Sequence, residues 1–144
     1  MIKSILCAID VSQAEAGSEV LRAAWKLAEA YDAAVDVMTV VPDFGMSVVG
    51  QFFDKAHHEK VVDHARKLLK KSVTATLGAG ADEKVRHIVG TGNAYEQILK
   101  VARDAGTDLI VIGAHKPDFK DYLLGPNAAR VVRHSDCSVY VVRA

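Results

Sequence analysis

The segment from Gly113 to Asn127 holds residue types that suit phosphate binding. A glycine ends an apolar run, the basic residues His115 and Lys116 follow, and Gly125 comes directly before a helix-like pattern. The start of a helix offers unpaired backbone N–H groups and the positive end of its dipole, and a glycine has no Cβ to keep an oxyanion away. The pattern predicts a phosphate cradle, although glycine, proline and asparagine before a helix also form an ordinary turn and cap.

Length and charge narrow the classes of protein that fit. The 144 residues are half apolar, which is enough for one domain whose core needs no disulfide or metal. Lys and Arg number 18, Asp and Glu number 18, and the net charge is zero. Because no overall field draws the chain to nucleic acid or to a membrane, any anion must be held locally.

Other features limit the localisation and the chemistry. No apolar stretch matches a signal peptide or a membrane span, which predicts a cytoplasmic protein. We interpret His57, His58 and His64 as a solvated helix face, because their spacing suits a shared metal poorly. No nucleophile is recognisably placed beside a base, so no catalytic residue is assigned. Walker and dinucleotide-binding motifs are absent from the sequence.

Strand-like and helix-like patterns alternate along the chain. Apolar, β-branched runs predict strands, and apolar residues at helical intervals predict helices. The predicted strands are 5–9, 35–41, 84–89, 109–113 and 138–142, and the predicted helices are 13–31, 52–77, the segment between Asn93 and Gly106, and 125–134. Parallel neighbours need crossover connections, so this alternation predicts an α/β fold with a doubly wound parallel sheet.

Local signals predict where two helices begin. Ser12 and Glu15 have the spacing of a capping box at the first helix, and Asn93 with Glu96 has it at the third. The glycine-rich turn that starts at Gly90 is expected to end the third strand.

The topology directs attention to one end of the sheet. Ligands of doubly wound sheets bind beyond the carboxyl ends of the strands, at the point where the strand order reverses. The candidate loops therefore begin at Asp10, Val41 and Gly113. Asp10 also has a purely structural interpretation, as a cap of the turn into the first helix.

The whole chain resembles the universal stress protein family. That family's C-terminal signature, Gly-x2-Gly-x9-Gly-Ser/Thr before a helix and a final apolar strand, is similar to the segment from Gly113 to Pro126. Residues 5–12 resemble the family's opening strand with its aspartate, and residues 137–143 resemble its closing strand. The segment from His115 to His134 is similar to the branch often called F-type.

The resemblance implies a fold and a ligand. The fold is a five-stranded, Rossmann-like three-layer sandwich of the adenine-nucleotide alpha-hydrolase type, with strand order 3-2-1-4-5. Members are usually dimeric, and one subset binds ATP or AMP at the switch point; the magnesium requirement is left open. Carried over by position, the nucleotide-binding residues are Ala8, Ile9 and Asp10 near adenine, Val40 against the base, Gly113, His115 and Lys116 at ribose and phosphate, and Gly125, Asn127 and Ala128 at the phosphates.

The match to the signature is incomplete. Lys116 stands in place of the second glycine, and only eight residues separate it from Gly125. Pro126 replaces the serine or threonine, which removes one N–H donor and one hydroxyl. Asn127 and Ala128 keep their amides, and Lys116 adds a positive charge.

The implied strand order leaves the fifth strand at an edge of the sheet. Its residues Val139, Tyr140, Val141 and Val142 include no charge or proline that would discourage pairing. We therefore predict a homodimer through antiparallel contacts of the fifth strand. The same order separates Cys7 from Cys137 by a whole strand, beyond disulfide reach.

Two functional hypotheses follow. The first is an adenine-nucleotide-binding stress-response dimer, for which slow ATP hydrolysis or self-phosphorylation rests on the resemblance alone. The alternative is a stress-protein dimer that binds no nucleotide and acts through contacts with other proteins.

Overall fold

The computed structural model describes residues 1–43, 55–114 and 125–143. Strands and helices alternate within these ranges, and none of the described helices is long and apolar enough to span a membrane. The strands are β1 (Ser4–Ala8), β2 (Ala34–Val41), β3 (Arg86–Thr91), β4 (Leu109–Ala114) and β5 (Ser138–Arg143), and the helices are α1 (Ala14–Tyr31), α2 (Lys55–Leu77), α3 (Ala79–Asp82), α4 (Ala94–Asp104) and α5 (Gly125–His134). Residues 52–54, predicted to begin the second helix, lie outside the described residues.

The five strands form one parallel sheet in the order β3-β2-β1-β4-β5. This confirms the predicted fold class and strand order. The central strand is β1, whose Ala8 lies level with Met38 of β2 and with Ile112 of β4. The chain builds β2 and β3 on one side of β1 and then β4 and β5 on the other, so the order reverses between β1 and β4.

Alternate residues of the strands fill two separate cores. Ile5 and Cys7 of β1 face a cluster formed with α1 and α2, whereas Leu6 and Ala8 face a cluster formed with α4 and α5. Ile5, Leu6 and Cys7 are fully buried. Each fully buried Ile or Leu stabilises the fold by roughly 1.5–3 kcal/mol. Both faces of β1 and β4 are covered, so residues on both faces are apolar, and the two strands appear in the sequence as continuous apolar runs.

Polar bonds at the amino end of the sheet hold neighbouring strands together. Asp108 Oδ2 accepts the backbone N–H groups of Lys3 at 2.8 Å and Ser4 at 3.0 Å, and the Asp108 N–H donates to Ser4 O. These bonds lower the pKa of the Asp108 carboxyl below its ordinary value. One side chain thus links the starts of β1 and β4.

A second pair of contacts holds β3 against its neighbours. Arg86 and Asp36 lie side by side on β3 and β2 and form a two-bond ion pair at 2.8 and 3.1 Å. The buried Asp82 of α3 lies 2.6 Å from His87 Nε2. Both contacts connect β3 to the preceding elements at its amino end.

The third strand differs from its prediction. It runs over Arg86–Thr91, and the short helix α3, which the sequence reading missed, occupies part of the preceding segment. Gly90 therefore lies inside β3, and a Cβ there would approach Gln97 Cβ of α4 at 3.2 Å. The glycine allows α4 to pack closely on the strand, which a turn-based reading cannot detect.

The side-chain capping bonds predicted for α1 and α4 are wrong. The position before α1 is occupied by Gln13, and the position before α4 by Asn93, but neither side chain caps its helix. Ser12 instead donates its hydroxyl to Asp10 Oδ1 at 2.6 Å. A capping hydroxyl accepts a backbone N–H, whereas this hydroxyl donates to a charged carboxylate, and such charge-assisted bonds are stronger than bonds between neutral groups.

The two cysteines lie on either side of β4. Cys7 is in β1 and Cys137 directly precedes β5, and both are free thiols. Cys7 is fully buried, and desolvation raises the pKa of its thiol to about 12.

Candidate functional site

The carboxyl ends of β1, β2 and β4 meet at the reversal of strand order. Ala8, Met38 and Ile112 lie level across the sheet, and β1 ends there, whereas β2 continues to Val41 and β4 to Ala114. The sequence reading predicted loops at this end that begin at Asp10, Val41 and Gly113, and the structure places the three strand ends next to one another. Parallel strands necessarily present their carboxyl ends at one edge, where a doubly wound sheet binds ligands.

Asp10 forms the turn that leaves β1. Its Oδ1 accepts the Ser12 N–H at 2.9 Å and the Ser12 hydroxyl at 2.6 Å, and its carbonyl accepts the Gln13 N–H at 3.1 Å. Asp10 therefore does stabilise the turn into the first helix, as its structural interpretation predicted. The side chain is exposed, so the same turn presents a carboxylate at the carboxyl edge.

Ala8, Ile9 and Val40 offer a different kind of surface. Ala8 and Ile9 are each 8% exposed, and Val40 is half-buried against the core shared with α4 and α5. The Ile9 N–H already donates to Met38 O at 2.9 Å. A flat ring at this place would gain apolar contact from Val40, but no hydrogen bond from the Ile9 N–H.

Gly113 is required by packing on the opposite face. A Cβ at this position would come within 2.8 Å of Val20 Cγ2 of α1. The missing side chain thus makes room for α1, on the face away from α5. A contact between the Gly113 backbone and a ribose stays a prediction.

The first turn of α5 supplies backbone donors. The helix starts at Gly125 and packs against α4, β4 and β5. Asn127 is exposed and Ala128 is 3% exposed, so Ala128 anchors the turn to the core while Asn127 faces outward. Both keep their N–H groups, whereas Pro126 has none. His115 and Lys116 lie outside the described residues.

Arg130 adds a cation that the sequence reading missed. Its guanidinium lies over the Tyr95 ring, 4.9 Å from the centroid, and joins α5 to α4. Arg130 comes three residues after Asn127, on the same side of the helix. That spacing was visible in the sequence, but the aromatic ring that holds the guanidinium lies on another helix.

A hydroxyl and an imidazole meet at the carboxyl end of β3. Thr91 Oγ1 lies 3.3 Å from His58 Nε2 of α2, and both residues are half-buried. The pair extends the polar edge by one strand beyond β2. Over the described ranges, no group of three or more His, Cys, Asp and Glu side chains could hold a metal ion.

The sequence matches a known family over almost its whole length. Residues 1–143 match the model of the Universal stress protein family. This chain belongs to that family. Universal stress protein G of Shigella flexneri is 27% identical over 144 residues, which cover 99% of this chain and 100% of that protein. Universal stress protein MJ0577 of Methanocaldococcus jannaschii is 39% identical over 61 residues, 42% of this chain and 38% of that protein. The likeness to the F-type branch stays a prediction.

Solved structures share the fold of this universal stress protein. The structure of MJ0577 has a TM-score of 0.76 at 26% identity and covers 100% of this chain and 97% of its own. A universal stress protein in complex with cAMP has a TM-score of 0.69 at 17% identity, covering 98% and 97%. The universal stress protein of Archaeoglobus fulgidus in complex with dAMP has a TM-score of 0.60 at 20% identity, covering 98% and 98%.

Proposed function

We propose that this universal stress protein binds an adenine nucleotide, ATP or AMP, at the carboxyl edge of its sheet. The observation that carries the proposal is the start of α5 beside the reversal of strand order, where backbone donors and a helix dipole suit a phosphate. Family members solved with cAMP and with dAMP support the adenine part.

The dimensions of the edge suit a nucleotide that lies across it. Phosphates at the α5 turn and a base at Val40 are separated by β4, β1 and β2, about 10 Å for two strand spacings. A mononucleotide has that reach. Asp10 lies between the two ends and offers carboxylate oxygens to ribose or base donors.

Attraction of a phosphate to the carboxyl edge has to come from charges at that edge. Since the net charge is zero, attraction of phosphate depends on the α5 dipole, Lys116 and the guanidinium of Arg130. We expect Arg130 to act from its position over Tyr95, because a stacked guanidinium has already lost much of its conformational freedom. The only catalytic activities that the proposal includes are slow ATP hydrolysis or self-phosphorylation. We also expect the protein to act in the cytoplasm.

Nucleotide release and titration test the proposal. Protein purified without added nucleotide should release ATP or AMP on denaturation, and calorimetric titration with ATP, with and without magnesium, should show one site per chain. Gly125→Val should abolish the binding, because a branched side chain would crowd the phosphate. Gly80→Val is the matched control, since a Cβ at Gly80 in α3 meets nothing within 4 Å.

A second candidate function is favoured by Pro126. With one donor and one hydroxyl missing from the phosphate turn, the chain would be a stress-protein dimer that acts through protein contacts. No nucleotide release and no binding up to millimolar ATP would favour this second function over the first.

Both candidates include a homodimer through β5. The strand lies at the edge of the sheet, Tyr140 is 46% exposed, and Val139, Val141 and Val142 are half-buried. An apolar edge of this kind is satisfied by antiparallel pairing with a second copy.

Sedimentation velocity tests the dimer. Val141→Lys should yield monomers, because it places two like charges in the paired edge. Tyr31→Lys is the control, since it adds the same charge at the end of α1, away from β5. A tight dimer in the Val141→Lys variant would rule out the β5 interface.

A further inference from the structure

An aromatic ring and a guanidinium meet between α4 and α5. The guanidinium of Arg130 lies 4.9 Å from the centroid of the Tyr95 ring. Tyr95 is the second residue of α4 and is half-buried against the core that α4 and α5 share with the sheet. Because the core holds the ring, the ring in turn limits the positions that the guanidinium can take.

The pair lies at the carboxyl edge of the sheet. The helix α4 follows β3 and α5 follows β4, so both helices begin where parallel strands end. Side chains of a helix lean toward its start, which brings the long side chain of Arg130 back toward the first turn of α5. Tyr95, in the first turn of α4, holds it at that level. The guanidinium is therefore at the edge where we propose that the nucleotide binds.

The guanidinium has donors to offer at this edge. Among the residues that the structure describes, no carboxylate forms an ion pair with Arg130, and the residue is exposed. A carboxylate does touch the other partner, since the Tyr95 hydroxyl donates to Glu96 Oε1 at 3.3 Å. Because a guanidinium stacks through its face, the N–H groups along the edge of its plane remain able to donate to a ligand.

Pro126 removes donors from the neighbouring turn. It has neither an N–H nor a hydroxyl at the second position of α5, so the first turn offers a phosphate fewer donors than a serine or threonine there would give. Two N–H groups of a guanidinium form a fixed fork that matches two oxygens of one phosphate. Arg130 can thus supply two donors where Pro126 withholds two.

We propose that Arg130, positioned by Tyr95, makes the site selective for nucleotides with a free terminal phosphate, such as AMP and ATP, over a cyclic 3′,5′-phosphate. The inference rests on the proposed function, because it names the kind of phosphate that the same site accepts. A terminal phosphate carries about two negative charges at neutral pH and three acceptor oxygens, which serve the fork and the α5 turn together. A cyclic phosphate, as a diester, lacks one of those oxygens and one of those charges, so the fork and the turn compete for the rest.

Calorimetric titrations of the full-length protein with AMP, ATP and cAMP test the selectivity. We expect wild type to bind AMP and ATP roughly tenfold more tightly than cAMP, the effect of one hydrogen bond to a charged group. R130A should weaken AMP and ATP binding about tenfold and cAMP binding about twofold, so that most of the preference is lost. R133A is the matched control, since Arg133 is an exposed arginine of α5 one turn further on, and it should bind all three nucleotides as wild type does.

Conservative variants separate positioning from charge. Y95F keeps the ring and should leave all three affinities unchanged, whereas Y95L removes the ring and should weaken AMP binding roughly threefold, because the guanidinium loses its support. R130K keeps the charge without the fork, so its preference for AMP over cAMP should lie between those of wild type and R130A. Equal AMP affinities in Y95F and Y95L would remove Tyr95 from the site. Urea denaturation shows whether Y95L is folded, and the two Arg130 variants change only an exposed side chain.

A serine at position 126 tests whether the turn and the fork share one phosphate. P126S returns an N–H and a hydroxyl to the first turn of α5. It should therefore recover part of the AMP affinity that R130A loses, and it should add less to the affinity of wild type. Equal gains in the two backgrounds would contradict a shared phosphate.

The outcomes distinguish this inference from the proposed function. No binding of AMP, ATP or cAMP by wild type up to millimolar concentration would overturn both. AMP binding that is equally strong in R130A and R133A would overturn the role of Arg130 and leave the proposed function standing. A loss in R130A that is equal for AMP and cAMP would overturn the selectivity, because Arg130 would then attract any phosphate by its charge alone.

Discussion

The two ends of the sheet use their aspartates differently. At the amino end, Asp108 accepts backbone N–H groups of Lys3 and Ser4, more than 100 residues away in sequence, and ties two strands together. At the carboxyl end, the Asp10 carboxylate bonds to Ser12, two residues along the chain, and to no other described residue. The carboxylate that connects distant segments is structural, whereas the one that holds only its own turn is exposed, which is why we propose it as a ligand contact.

The glycines of the carboxyl end extend this comparison. Gly90 and Gly113 both make room for a helix, since Cβ atoms there would approach Gln97 and Val20. Gly125 starts a helix instead. A glycine near a candidate site is therefore not evidence for a ligand until its neighbours are known.

The largest expected effect comes from filling the space at Gly113. Gly113→Ala puts a Cβ 2.8 Å from Val20 Cγ2 and should lower the free energy of unfolding by about 1–3 kcal/mol. Urea denaturation measures it, with Gly80→Ala as the control. In a double-mutant cycle, Val20→Ala should recover part of the loss. Strictly additive losses would show that the two residues do not interfere.

Substitutions of the two aspartates should affect different properties, stability in one case and ATP affinity in the other. Asp108→Asn should lower the urea midpoint at pH 7 and leave ATP affinity unchanged, whereas Asp10→Asn should weaken ATP binding with little change in the midpoint. Calorimetry and urea denaturation of both variants measure this. If Asp10→Asn proves the more destabilising of the two, the comparison between the ends of the sheet fails.

The Asp108 effect should also depend on pH. Backbone hydrogen bonds from Lys3 and Ser4 lower the pKa of the carboxyl in the folded protein. The stabilisation is therefore present above the ordinary pKa of an unfolded aspartate and is lost as the pH falls through the lower, folded value. The difference in midpoint between wild type and Asp108→Asn should shrink in acid. A difference that grows in acid would contradict the sign of this shift.

The smallest effect is expected at the ion pair between β2 and β3. Arg86→Lys loses the two-bond geometry with Asp36, but Arg86 is 61% exposed, so the cost should be about 0.5 kcal/mol. Arg66→Lys is the control, because its pair with Asp63 is exposed on both sides and should change nothing measurable. Equal effects of the two variants would show that the two-bond geometry adds no stability.

Most of the fold was predictable from periodicity. The buried strands β1 and β4 read as apolar runs, and α1 and α4 show helical spacing, because burial on one or both faces repeats at a fixed interval. The errors lie where local and tertiary preferences compete. Ser12 bonds to Asp10 instead of capping α1, and Gly90 lies within β3 because α4 packs against it.

The candidate site was predictable only as a set of loops. Parallel topology places Asp10, Val40 and Gly113 at one edge whatever their side chains do. The packing role of Gly113, the stacking of Arg130 on Tyr95 and the meeting of Thr91 with His58 each join residues from different elements. None of these pairs has a sequence spacing that would reveal it.

The sequence by itself determined the family and the doubly wound class, because each depends on patterns that repeat locally or on a motif of neighbouring residues. It also predicted the edge at which a ligand would bind. Only the tertiary structure decided which polar groups are already used. Whether Asp108 is bonded to β1, Gly113 packs on Val20 or Arg130 stacks on Tyr95 depends on contacts between different elements of the fold. Such contacts follow no periodic pattern in the sequence.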